Sequence, residues 1–159
     1  MIIVKTTCLL TSLVFIALFA VDCNDKKPTS VQWRTDPPAL QSRLPFLNSI
    51  ERCWWVMGVA QDRSKGSVPA PDSSFLRGYA KLSAEETSRI AKAYEWKSIS
   101  SDSFQPVRPP AEYGVPAMSG SLLVSDELMR SLVGVTTFRN GQIVLSPSQQ
   151  MIYFDLAQD

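Results

Sequence analysis

The apolar run CLLTSLVFIALFAV, residues 8–21, constrains this chain more than any other stretch. Only Thr11 and Ser12 interrupt it, and Lys5 is the sole charge before it. Asp22, Asn24, Asp25, Lys26 and Lys27 then end it sharply. The run has no polar face and no amphipathic period, which disfavours a helix resting one side on a core. Together with the residues before Lys5 it approaches the roughly 20 residues that a spanning helix needs. The part after Lys5 fits the roughly 7–15-residue apolar region of a secretory signal better. Residues 1–22 are therefore expected to be a signal peptide or a membrane anchor. Residues 23–38, polar and carrying Pro28, Pro37 and Pro38, are expected to be a tether. Residues 39–159 remain as a single domain, large enough to bury a core without disulfides.

Composition narrows the chemistry. Apolar residues make up 45% and charged residues 19% of the 159, a globular balance rather than a disordered one. A net charge of +1 offers no field to steer nucleic acid, so no nucleic-acid partner is expected. Histidine is absent. That removes the commonest general base near neutral pH and the commonest metal ligand. Three cysteines, Cys8 inside the leader among them, build neither a zinc site nor a disulfide framework. No metal and no cofactor are expected.

A short positive start, an apolar core and Cys23 preceded by Ala20, Val21 and Asp22 together resemble a bacterial lipoprotein signal. That resemblance implies lipidation of Cys23, which would become the first residue of the mature chain. Cleavage after Ala20 and an uncleaved N-terminal anchor stay open as alternatives. All three place the protein in the bacterial cell envelope, attached to a membrane or facing the periplasm. Cys53 is expected to be a free, buried thiol if Cys23 carries lipid. Under ordinary cleavage the two cysteines could pair instead.

Along the body, residues 53–60 are apolar, aromatic and β-branched, the mark of a buried strand. Residues 75–82 alternate: Leu76, Gly78, Ala80 and Leu82 share one face, Arg77, Tyr79 and Lys81 the other, as in a half-solvated strand. A short helix within 40–50 is interrupted by Pro45. Ser83 and Glu86 form a capping box opening a helix over 84–96, with Glu85 and Arg89 paired on its wet face. Residues 97–121 form a long loop with Pro106, Pro109, Pro110 and Pro116, a length that is usually functional or mobile. Ser125 caps a short helix over 126–132. Asn140-Gly141 is expected to turn a hairpin between strands 135–139 and 142–146, and a last strand covers 151–156. The sum is an α+β fold: an antiparallel sheet of four to five strands with one or two helices packed on one face. The series Arg77-Gly78-Tyr79, Leu82-Ser83-Ala84-Glu85-Glu86, Tyr94-Glu95-Trp96 and Ile152-Tyr153-Phe154-Asp155 is similar to small exported bacterial proteins and implies no activity.

Catalytic equipment is sparse. No Ser-x-x-Lys, phosphate loop or calcium loop occurs in the sequence. Glu85, Glu86, Asp126 and Glu127 are explained by helix N-termini, which leaves Glu112 as the uncommitted carboxylate. Tyr113, beside it in the proline loop, and Trp55 complete the candidate binding surface. The expected role is a non-enzymatic envelope protein, held at the membrane by a lipid or helix, that binds another protein, in one version as an inhibitor or immunity protein. A cell-wall glycan hydrolase with a carboxylate pair, or a membrane-complex subunit keeping its first helix, are the alternatives.

Overall fold

A computed structural model describes residues 32–60 and 73–158. Cys23, the expected signal or anchor, and most of the expected tether lie outside them. Within the described residues one antiparallel sheet of six strands runs in the order β1-β2-β6-β5-β4-β3. Its strands are β1 (Ile50–Ala60), β2 (Ser73–Leu82), β3 (Lys97–Ile99), β4 (Leu122–Val124), β5 (Asn140–Ser146) and β6 (Met151–Gln158). Three helices accompany it: α1 (Pro37–Arg43), α2 (Ala84–Ala93) and α3 (Asp126–Val135). The α+β class is the expected one, with more strands and helices than expected. The short strands β3 and β4 account for the extra pairing; three residues each carry too little alternation to be seen in the sequence.

Register explains the layers. On one face the Cα partners Trp55, Gly78, Phe154 and Ile143 line up across four strands. All three helices press on this face through Leu40, Ile90, Leu128 and Leu132, joined by Cys53, Leu76, Ala80 and Leu82. Gly78 is needed here: a Cβ would come within 2.8 Å of the Trp55 Cβ. The opposite face carries the row Trp54, Tyr79, Tyr153, Val144 and Val124. Tyr79 is only 2% exposed. The face expected to be half-solvated is therefore covered, and what covers it is the long segment after β3, with Phe104, Val115 and Met118 packed on the tyrosines and their neighbours.

Several local expectations are corrected. The body begins before residue 39: Arg34 exchanges two backbone hydrogen bonds with Trp55, at 2.7 and 2.9 Å, on the outer edge of β1. Pro37 and Pro38 open α1, where a missing N–H costs nothing. That helix stops at Arg43 because Pro45 drives Leu44 out of the helical region. In α2, Ser83 Oγ accepts from the Glu86 N–H at 3.1 Å as expected. The Glu86 carboxylate does not return to the cap; its Oε1 accepts from the Asn48 N–H at 2.7 Å and its two oxygens take the Arg89 guanidinium. Arg89 thus pairs with buried Glu86 rather than exposed Glu85, because a charge pair is stronger where water is excluded.

The Asn140-Gly141 hairpin is also absent. Helix α3 runs on to Val135, and β5 starts at Asn140. Gly141 has φ +140, and a Cβ there would lie 2.8 Å from the Leu156 Cα. The glycine serves a close approach of β5 to β6, not a two-residue turn. The turn that joins those strands is Pro147–Gln150 instead, closed by Gln150 N–H to the Pro147 carbonyl at 3.2 Å.

Candidate functional site

Residues 100–121 form a strap over the tyrosine face. Prolines 106, 109, 110 and 116 supply no N–H and fix their own φ, so the strap cannot satisfy itself as a helix or strand. Two short 3₁₀ turns, Ser101–Ser103 and Ala111–Tyr113, are all the regular structure it holds. Sheet side chains provide the missing partners. The Tyr79 hydroxyl donates to the Val107 carbonyl at 3.2 Å, and the Val107 N–H donates to the Tyr153 hydroxyl oxygen at 3.3 Å. Gln149, in the β5–β6 turn, clamps the other end: its Nε2 donates to the Ala117 carbonyl at 2.9 Å and its Oε1 accepts from the Ser119 N–H at 2.7 Å. Ser146 Oγ donates to the Ser119 carbonyl at 3.0 Å.

Behind the tyrosines a polar relay runs along the strands. Tyr153 donates to Asp155 Oδ2 at 3.3 Å, and Asp155 Oδ1 takes Arg77 at 3.0 Å. Tyr79 and Tyr153 stack tilted, with centroids 5.1 Å apart, and Phe104 meets Tyr153 edge-on at 5.2 Å. Burial is the main cause that pushes both hydroxyls up: Tyr153 to about 12, and Tyr79 well above its ordinary value of 10. Both hydroxyls are therefore neutral donors at physiological pH, suited to holding a backbone rather than to acting as bases.

The strap does not lie flat. Between its arms opens a cavity of about 410 Å³. Its lining joins the four prolines to Phe104, Val115 and Met118, with Ser101 and the Tyr79 ring. Among the described residues that line it, Arg108 is the one that carries a charge; it is exposed and near enough to the Tyr79 hydroxyl to ease its ionisation. Among the described residues no Asp or Glu lines the cavity.

The three residues expected to form a binding surface part company. Trp55 is 1% exposed and belongs to the helix-side core, with its Nε1 finding no hydrogen-bond partner among the described residues and Arg34 over its ring at 5.1 Å; burial excludes it from a surface. Glu112 and Tyr113 lie together on the second 3₁₀ turn of the strap, beside the cavity but outside its lining. Glu112 is exposed, while Tyr113 is half-buried with its hydroxyl 3.5 Å from the Trp33 carbonyl oxygen. That contact ties the strap to the segment entering α1. Sequence reasoning missed Arg108, Phe104 and Tyr79. The tripeptide Arg108-Pro109-Pro110 was the available signal, a cation held on a rigid extended backbone.

Cys53 carries a free thiol, pushed up to about 12 by burial and by Asp36. Among the described residues no group of three or more His, Cys, Asp or Glu could hold a metal ion, and no helix is long and apolar enough to cross a membrane. Fold and cleft define a class: a single-sheet α+β domain, helices on one face, a proline strap enclosing a cleft on the other. No protein-family model, curated protein or solved structure matches this chain.

Proposed function

We propose that this protein is tethered to a membrane of the bacterial cell envelope and that its α+β body binds another protein through the proline strap, without catalysing a reaction. The observation that carries this reading is the strap itself: 22 residues cross a sheet face that a helix could have covered, and they leave an open cleft. Proline fixes that backbone before any partner arrives, which lowers the ordering cost of association. Rigid, exposed, irregular segments on a firm scaffold are where recognition concentrates. The apolar run at 8–21 and Cys23 support the location. The test is the mass of the mature N-terminus recovered from membrane fractions, with and without Cys23→Ser. A diacylglyceryl or triacyl adduct on Cys23, lost in the variant, is the expected result. A soluble chain starting at Val21, or unprocessed protein in the cytosol, would overturn the tether.

A further inference from the structure

Resting on that protein-binding reading, we infer that the cleft under the strap takes a peptide segment of the partner that carries a carboxylate beside an apolar or aromatic side chain, and that Arg108 is the residue that reads the carboxylate.

The lining divides into two parts. Phe104, Val115 and Met118 pack on the sheet below and face the cavity above, so they form a fixed apolar wall. Pro106 and Pro109 add rigid rings. Such a wall takes an apolar or aromatic body and gives no preference for sign of charge. Arg108 supplies the sign. Its guanidinium forms no ion pair with any described carboxylate, whereas Arg77 is taken by Asp155 and Arg89 by Glu86. The two acidic residues of the strap, Asp102 and Glu112, are exposed and stand outside the lining. Arginine presents a planar fork that matches a carboxylate with two parallel bonds. At about 410 Å³ the cavity lies toward the small end of ligand sites, which span roughly 300–1,000 Å³, so it holds a few side chains rather than a folded element. The tyrosine hydroxyls are committed to the Val107 backbone, so they hold the cleft open instead of competing for the ligand.

Ligand-observed ¹⁹F NMR on the full chain in neutral detergent tests this. The probes are a pentapeptide amide in which glutamate is flanked by 4-fluorophenylalanine, the same peptide with glutamine, and 4-fluorophenylacetate. The glutamate peptide is expected to bind about two- to fivefold more tightly than its glutamine twin, the range of an exposed ion pair, with the preference falling as salt rises. In Arg108→Gln the preference disappears; in Arg43→Gln, an exposed arginine on α1, it persists. Equal binding of the two peptides, or equal loss in both variants, would overturn the role of Arg108. Binding of 4-fluorophenylacetate as tight as that of the glutamate peptide would overturn the peptide class in favour of a small acid. Should Cys23 prove lipidated while no probe binds, the cleft inference falls and the tether stands. The converse pair of results leaves the cleft and removes the tether.

Discussion

The two faces of the sheet are covered by different means. Helices α1, α2 and α3 satisfy their own backbones and need only apolar side chains from the sheet, and the sheet offers Trp55, Leu76, Ile152 and Phe154. The strap brings prolines and an unpaired backbone, so its face must offer donors and acceptors as well: Tyr79, Tyr153, Ser146 and Gln149. The helices lie on the sheet through apolar burial, with Glu86 and Arg89 tying α2 to the segment between α1 and β1, whereas the strap is held by burial plus directed hydrogen bonds to the sheet and its β5–β6 turn. The strap side buries far fewer apolar side chains, and its hydrogen bonds return only about 0.5–1.5 kcal/mol net each, so the strap side is expected to open before the helices. It is also the side on which a cleft survives.

That contrast can be broken most violently from the helix side. Phe154→Ala removes a fully buried ring from the helix face and is expected to cost about 3–5 kcal/mol in urea denaturation. Reaction of the Cys53 thiol, which burial otherwise suppresses, should then accelerate about a hundredfold or more, since each 1.4 kcal/mol is about tenfold. Unchanged thiol reactivity would show that the helix face opens independently of global unfolding. Gly78→Ala forces a methyl against Trp55 and should cost about 1–3 kcal/mol by the same assay.

The strap side is expected to yield locally. Gln149→Ala deletes both arms of the clamp on residues 117–119; the freed backbone groups are exposed and turn to water, so the local loss is about 0.5–1.5 kcal/mol per bond. Amide exchange should rise across 115–121 while Cys53 labelling stays at its wild-type rate. If both rise together, the two faces form one cooperative unit and the comparison fails.

Smaller effects sharpen the contrast through pH. The Arg89 guanidinium, helped by the Asn48 amide, holds the Glu86 carboxyl below its usual 4.5. A depressed folded pKa means that Glu86 supports the helix side fully above about pH 4.5 and loses that support as pH falls through the folded value. Glu86→Gln should flatten the acid limb of a stability-versus-pH curve. On the strap side the sign reverses. Tyr153 is raised from 10 to about 12, so its contribution is whole below pH 10 and drains as pH climbs toward 12. Ultraviolet titration should find this tyrosine ionising late, with Tyr153→Phe removing the step. At the bottom of the scale stands the exposed Lys97–Asp126 pair on the rim: Lys97→Met is expected to leave the urea midpoint of either face unmoved.

Much of the helix side was legible in the chain. Leu76, Gly78, Ala80 and Leu82 alternate, Ser83 caps α2 and Ser125 caps α3 through a 3.1 Å bond to the Leu128 N–H. These are local rules, set by a period of two or by a neighbour three residues away. The strap side was not legible. Tyr79 and Tyr153 look like solvent-facing members of their strands until register places them side by side and a segment distant in sequence arrives on top. Asn140-Gly141 shows the same divide: the pair has turn chemistry, yet the glycine is required by a strand that follows it in the chain and lies beside it in space.

By itself the sequence determined the class of fold, the places where α2 and α3 begin and the core face of β2, because each of these depends on spacings within about a dozen residues. Tertiary structure alone decided which face the helices took, that Trp55 went inside, and that Arg108 came to line a cleft. Those outcomes depend on contacts between segments far apart in the chain, and no local pattern encodes which partner will cover a given surface.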